Sequence, residues 1–316
     1  MNELSNTWEY RFAFRIRSLE DAPLEFQSAF RDLTQREGDP VLAFFSPAVQ
    51  DGHFLMSRWT PPRLWLVFRD SLALLSLDHK SDAVSLFQLR QEDFVGFGRA
   101  EFLLNCWFSV YPGTDDDAPI EVRFPSRAEE KYQDLAKVLI GWLEGEVQTG
   151  VQRGRPEQHV KLAGLPPKFA RLIEQHPELG EVLEMFYQPR MVFGGRKGAE
   201  WSNLLLLLTS RAIVALTDQC RNRWSEYGFE SLYFPFARVK LADWIETRST
   251  DRGAIRICLG GINRHANVSW SVSGRLKPYA LRWVWAVESN LRSRQQDRTH
   301  AGTVRSPGTQ AVRCEA

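Results

Sequence analysis

Short runs of branched and aromatic residues recur along the chain, which is the pattern of half-buried strands. They predict seven strands in each half. In the first half these fall near residues 41–46, 63–69, 72–78, 84–89, 92–99, 102–110 and 119–124, and in the second near 181–188, 203–209, 212–217, 231–236, 238–248, 254–260 and 267–272. Before them, Phe12, Phe14 and Ile16 alternate with arginines, which predicts an additional N-terminal strand.

Four segments follow a helical period instead. Short helices are predicted near residues 24–36 and 167–175, and one amphipathic helix closes each half, over 126–143 and 274–291. In the first closing helix, Tyr132, Leu135 and Leu139 share one face, and Ser126 with Glu129 has the spacing of a capping box. In the second closing helix, Ala280, Trp283 and Val287 share a face. We expect both faces to be buried against sheets.

The two halves also match each other in order, which indicates an internal repeat. The segment 119–143 has the same length as 267–291, and four further segments keep their order at offsets between 140 and 148 residues.

The runs LVFRDSLALLSL (66–77) and LLLLTSRAIVALT (205–217) resemble the paired strands and turn of GRAM and bacterial pleckstrin-homology (PH) domains. This resemblance to the PH-like superfold implies a mainly β chain with capping helices (α+β). It implies two tandem PH-like seven-stranded units, each closed by a C-terminal helix. The expected boundaries are a first unit with its N-terminal strand at 1–145, a linker and prelude strand at 146–165, a second unit at 166–292 and a disordered tail at 293–316.

Composition excludes several classes of protein. The chain has 316 residues, 43% of them hydrophobic, and no run long enough to predict a transmembrane segment. Its four cysteines are widely separated, which argues against a disulfide framework and fits the cytoplasm. Residues 1–145 carry 15 Lys and Arg against 23 Asp and Glu, and residues 146–316 carry 25 against 16, so the halves differ in sign (−8 and +9).

Motifs for chemistry are missing from the local sequence. No two histidines have the spacing of a zinc site, and no nucleophile elbow, P-loop or dinucleotide-binding glycine motif is present. Asp115, Asp116 and Asp117 form the sharpest acidic cluster, in a segment that we interpret as a solvated loop. We therefore expect no catalytic residue, no metal ion and no cofactor.

Basic residues in the second half form the best candidate site. In PH-like domains the loops after strands one and three stand together at one open end, where cations meet anionic groups. By this resemblance the cations that would converge here are Arg190, Arg196, Lys197, Arg221 and Arg223. The matching first-half loops mix Asp51 and Asp78 with Arg58 and Lys80, so no anion site is expected there.

These features favour a non-catalytic binding or adaptor protein that docks a protein partner or an anionic phosphate or lipid-headgroup surface. We expect it in the cytoplasm, or peripherally at a membrane. Two alternatives stay open: nucleic-acid binding through the basic second half, and an enzyme whose site is assembled from distant residues.

Overall fold

The computed structural model describes residues 13–51, 58–78, 81–102, 105–113, 119–144, 165–175, 180–192, 200–218, 229–247, 252–260 and 265–303. All structural statements below concern these residues.

The described residues of the first half form ten strands and two α-helices. In chain order these are β1 (Phe14–Arg15), α1 (Leu24–Glu37), β2 (Leu42–Ser46), β3 (Val49–Asp51), β4 (Arg58–Thr60), β5 (Arg63–Val67), β6 (Ser71–Leu77), β7 (Val84–Arg90), β8 (Phe94–Phe102), β9 (Asn105–Pro112), β10 (Ile120–Pro125) and α2 (Glu129–Glu144).

The second half repeats most of this order. Its elements are α3 (Pro167–Gln175), β11 (Val182–Gln188), β12 (Met191–Val192), β13 (Glu200–Trp201), β14 (Leu204–Thr209), β15 (Ala212–Thr217), β16 (Phe229–Pro235), β17 (Val239–Glu246), β18 (Arg252–Gly260), β19 (His265–Ser273) and α4 (Lys277–Thr303).

The strands form three main antiparallel sheets. A five-stranded sheet has the order β1-β2-β5-β6-β7, a seven-stranded sheet the order β10-β9-β8-β16-β15-β14-β11, and a three-stranded sheet the order β17-β18-β19. Two small ribbons, β3 with β4 and β12 with β13, project between the first strands of each half. The chain is therefore mainly β with helices, as predicted. The sheets do not divide into two separate seven-stranded sets, because β8 of the first half pairs with β16 of the second.

The core has layers that repeat at a constant spacing. Leu64, Leu66, Ala73 and Leu75 lie in the cluster under α1, and the residues 141 positions later, Leu205, Leu207, Val214 and Leu216, lie in the cluster that contains α3. The opposite faces of the same strands correspond at the same spacing. Trp65 and Leu72 pack towards α2, whereas Leu206 and Ile213 pack towards α4. Each half thus presents one sheet face to a preceding helix and the other face to its closing helix.

Glycines permit the close approach at the junction between the halves. Strand β8 pairs with β16 from Glu101 opposite Phe229 to Phe97 opposite Tyr233. A Cβ atom at Gly96 would lie 2.6 Å from the backbone oxygen of Tyr233, and one at Gly98 would lie 2.7 Å from Cδ2 of Leu232. Larger residues at these two positions would push the strands of the two halves apart.

The closing helices bury the predicted faces. Tyr132, Leu135 and Leu139 are fully buried on α2, and Ala280 and Val287 are fully buried on α4. The proline at the second position of α4 is tolerated because the first turn needs no amide donor there.

Two local predictions about these helices are wrong. Ser126 does not cap α2, which begins at Glu129 after a 3-10 turn whose N-cap is Pro125. The Glu129 carboxylate instead accepts hydrogen bonds from Arg99 and Gln133, both at Oε1. Residues 293–303, expected to be a disordered tail, continue helix α4. Arg294 holds this extension to the sheet, since its guanidinium lies 4.4 Å from the ring centre of Phe236 and donates to the backbone oxygen of Ser210.

Candidate functional site

The structure describes the part of the candidate basic site where its two loops leave the sheet. Arg190 lies two residues after β11 and directly before β12, whereas Arg196, Lys197, Arg221 and Arg223 lie outside the described residues. The structure therefore does not report whether the five cations converge. What it defines is the end of the sheet from which their two loops leave, between β11 and β14 and between β15 and β16.

Asn203 anchors both ends of the first loop. It lies immediately before β14, and its side-chain oxygen accepts a hydrogen bond from the Tyr187 hydroxyl at 2.9 Å. The same oxygen accepts a second bond, also 2.9 Å, from the backbone amide of Arg190. One side chain thus ties the point where the chain leaves β11 to the point where it enters β14.

Asp218 connects this anchor to the second loop. The Asn203 amide nitrogen donates to the Asp218 carboxylate, and the Asp218 backbone amide donates to the Asn203 carbonyl at 3.3 Å. Because Asp218 follows β15 directly, the second loop begins beside the first. The two loops leave the sheet side by side at one end.

The charge of the Asp218 carboxylate is balanced locally. Lys168, in the first turn of α3, places its Nζ 3.3 Å from Oδ2 of Asp218. Burial raises the pKa of the Tyr187 hydroxyl above its ordinary value, and the negative charge of Asp218 adds to the effect. Tyr187 is therefore a neutral donor to Asn203 at physiological pH.

The sequence analysis missed the residues of this anchor. Asn203 and Asp218 flank the strongly apolar pair of strands, one directly before β14 and the other directly after β15. A polar residue at each of these boundaries was the available signal, because buried strand ends need partners for their last backbone groups. Tyr187 and Lys168 gave no comparable signal, since their roles depend on the packing of β11 and α3.

The structure describes only some of the other features considered in the sequence. Asp115, Asp116 and Asp117 lie outside the described residues, as does Lys80. Within the described part of the chain, no group of three or more His, Cys, Asp or Glu side chains is placed to hold a metal ion. None of the described helices combines the length and apolar character that a membrane crossing requires.

The sequence matches no protein-family model and no curated protein. Function must therefore be argued from the molecule itself.

Proposed function

We propose that this protein is a non-catalytic binding module that docks an anionic surface through the two adjacent loops of its second half. The observation that carries the proposal is the hydrogen bond between Asn203 and Asp218, which holds the end of the first loop beside the start of the second at one end of the sheet. Arg190, Arg196, Lys197, Arg221 and Arg223 belong to these loops or to their boundaries. Cations on loops that leave the sheet at the same end can bind a phosphate-bearing surface together.

The proposal includes two PH-like units. The order of elements supports it: in each half a helix precedes four strands that form a meander, three further strands and a closing helix follow, and a ribbon separates the first two strands of the meander. The β-bulges support it as well, because one lies between Phe94 and Gly96 and another at the matching place between Val239 and Leu241.

The shared sheet gives the second-half loops a firm base. Strands β14, β15 and β16 continue through β8 into the first half, and both faces of this sheet are covered by apolar clusters. A loop carried by a sheet that is buried on both faces loses less conformational freedom on binding than one carried by an isolated hairpin.

The electrostatic balance also supports an anionic partner. Asp218 lies at the base of the loops, and Lys168 forms an ion pair with its carboxylate. The positive charges of the loops are then not cancelled by this carboxylate. The positive balance of the second half acts in the same direction over longer distances.

Co-sedimentation with vesicles tests the proposal. The full chain is mixed at low salt with phosphatidylcholine vesicles that contain phosphatidylserine, and with phosphatidylcholine vesicles alone. We expect binding to the first only, and binding that weakens as salt is added, because exposed charges are screened over about 8 Å at physiological ionic strength.

The decisive variant is the double charge reversal Arg196→Glu with Lys197→Glu. It should abolish vesicle binding and leave the thermal midpoint of unfolding close to that of the wild type. The matched control is Arg31→Glu with Arg36→Glu on the exposed side of α1, which changes the net charge by the same amount in the first half. Equal loss in both variants, or no binding by the wild type at low salt, contradicts the proposal and leaves docking to a protein partner as the alternative.

A further inference from the structure

Two arginines extend into the core of the first half, and they are compensated differently. Arg99, on β8, pairs with the carboxylates of Glu101 and Glu129. Arg63, on β5, makes no ion pair with any described carboxylate. Its Nη1 donates to the backbone oxygen of Glu121 at 3.0 Å, and its Nε is buried without a hydrogen-bond partner.

The surroundings of Arg63 supply further donors. Tyr132 and Ser46 are both buried, and the Tyr132 hydroxyl donates to Oγ of Ser46 at 2.9 Å. Since that oxygen is the acceptor in this bond, the Ser46 hydroxyl keeps its own proton to donate. The indole N–H of Trp65 is also buried, and it makes no hydrogen bond of normal geometry. We call Arg63, Trp65, Ser46 and Tyr132 the Arg63 cluster.

Among the described residues, no carboxylate balances the positive charge of the Arg63 cluster. Burial lowers the pKa of the Arg63 guanidinium. Burial raises the pKa of Tyr132 to about 12, and hydrogen bonding to Ser46, proximity to Trp65 and the charge of Arg63 all oppose that rise. A buried charge without a counter-charge is costly, and so is a buried donor without an acceptor. A bound anion would remove both costs at once.

The position of the cluster gives it an access route. Arg63 begins β5, Ser46 ends β2 and Glu121 lies near the start of β10, so the cluster lies at one end of the sheets of the first half. Arg63 is only partly buried, and its side chain therefore extends from the surface into the interior. This location is distinct from the Asn203 and Asp218 anchor of the second-half loops, and it lies in the half where the sequence predicted no anion site.

We propose that the Arg63 cluster binds a phosphate group. The guanidinium edge that carries Nε is suited to an oxyanion, and the Ser46 hydroxyl and the Trp65 indole add donors from β2 and from the same strand. A phosphate has enough oxygens to accept from the guanidinium, the hydroxyl and the indole separately, whereas a carboxylate has two oxygens for all three. This site goes beyond the proposed docking loops and is independent of them.

The test uses the full chain, purified without phosphate, and follows thermal unfolding as inorganic phosphate is added, with sodium chloride at matched ionic strength as the reference. We expect the thermal midpoint of the wild type to rise with phosphate and not with chloride. In Arg63→Met this response should disappear. Without phosphate, Arg63→Met should be as stable as the wild type or more stable, because it removes an uncompensated buried charge.

Two further variants separate binding from structure. Ser46→Ala should keep the fold and weaken phosphate binding by about tenfold, the effect of losing one hydrogen bond to a charged group. Arg123→Met is the matched control, since Arg123 lies on neighbouring β10 but places its guanidinium over the ring of Trp107. It should respond to phosphate like the wild type, and so should the Arg196 and Lys197 double reversal.

A second experiment distinguishes free phosphate from a lipid phosphate. It compares the binding of the wild type and of Arg63→Met to vesicles that contain phosphatidic acid. Stabilisation by inorganic phosphate that is lost in Arg63→Met supports a site for free phosphate. Binding only to phosphatidic acid, lost in Arg63→Met, supports a lipid phosphate. The proposal is overturned if neither probe distinguishes the two proteins, if acetate stabilises the wild type more than phosphate does, or if Arg63→Met is destabilised in phosphate-free buffer.

Discussion

The substitution Gly96→Ala probes the strand pair that joins the two halves. Gly96 lies on β8 next to the residues that pair with β16, and an added methyl group would lie 2.6 Å from both the Tyr233 carbonyl oxygen and Cδ1 of Phe234. A normal contact needs about 3.4 Å or more, so either the backbone of β16 or the ring of Phe234 must move. The carbonyl cannot move without disturbing the pairing of β8 with β16.

The expected cost follows from two opposing effects. Overpacking a filled core costs about 1–3 kcal/mol, and more where the obstacle is backbone. Replacing glycine by alanine also restricts the unfolded chain, and this raises the free energy of unfolding by about 0.4–1 kcal/mol. We therefore expect Gly96→Ala to lower the free energy of unfolding by about 1–2 kcal/mol. Gly98→Ala should cost less, because the atom closest to its methyl group, at 2.7 Å, is Cδ2 at the flexible end of the Leu232 side chain and not backbone.

Denaturant unfolding of the full chain measures these differences, with Gly141→Ala as the control. Gly141 lies on the exposed side of α2 with nothing within 4 Å of an added methyl group, so alanine should stabilise the helix by about 0.5–1 kcal/mol. Opposite signs for Gly96→Ala and Gly141→Ala would support the junction. A Gly96→Ala protein as stable as Gly141→Ala would refute it, since the contact with β16 would then be absent in solution.

Two further predictions concern the closing helices and Tyr132. Leu139→Ala and Trp283→Ala should each lower the free energy of unfolding by about 2–5 kcal/mol, because both side chains are buried; unchanged denaturant midpoints would show that these faces are not packed. Because burial raises the pKa of Tyr132 from 10 to about 12, its contribution to stability is complete below pH 10 and is lost as the pH rises from 10 to about 12. The loss is worth about 3 kcal/mol, and an alkaline stability profile of Tyr132→Phe that falls as steeply as the wild-type profile would contradict it.

Local elements were predictable because their signals are local. Helix α3 has its predicted bounds, and strand β15 also begins and ends where the apolar run does. The pairing of β8 with β16 was not predictable, because it depends on which sheet edges meet after each half has folded. In the sequence Gly96 and Gly98 do not differ from other strand glycines, and only their close contact with β16 shows why a side chain is disfavoured there.

The failures at the helix ends have the same cause. Glu129 has the spacing of a capping residue, but Arg99 reaches it from β8, and a partly buried ion pair replaces the local bond. The extension of α4 beyond residue 292 is stabilised by the contact of Arg294 with the ring of Phe236, which is distant in sequence. Long-range contacts of this kind override local propensity.

The candidate sites divide in the same way. The cationic residues of the second-half loops were named from the resemblance to PH-like domains, whereas their anchor, Asn203 and Asp218, could be recognised only from the order of strands in the sheet. Arg63 gave no signal at all in the sequence. It is the first residue of the otherwise apolar strand β5, and only the packing of β5 against α2 shows that its side chain is partly buried.

Hydrogen exchange of the full chain on vesicles tests the central claim most directly. The protein is compared on phosphatidylcholine vesicles with and without phosphatidylserine, at low salt, and protection is read for each peptide. The account predicts slower exchange in residues 189–203 and 218–229 on the anionic vesicles only. Unchanged exchange in both of these segments, on vesicles that bind the protein, would contradict it.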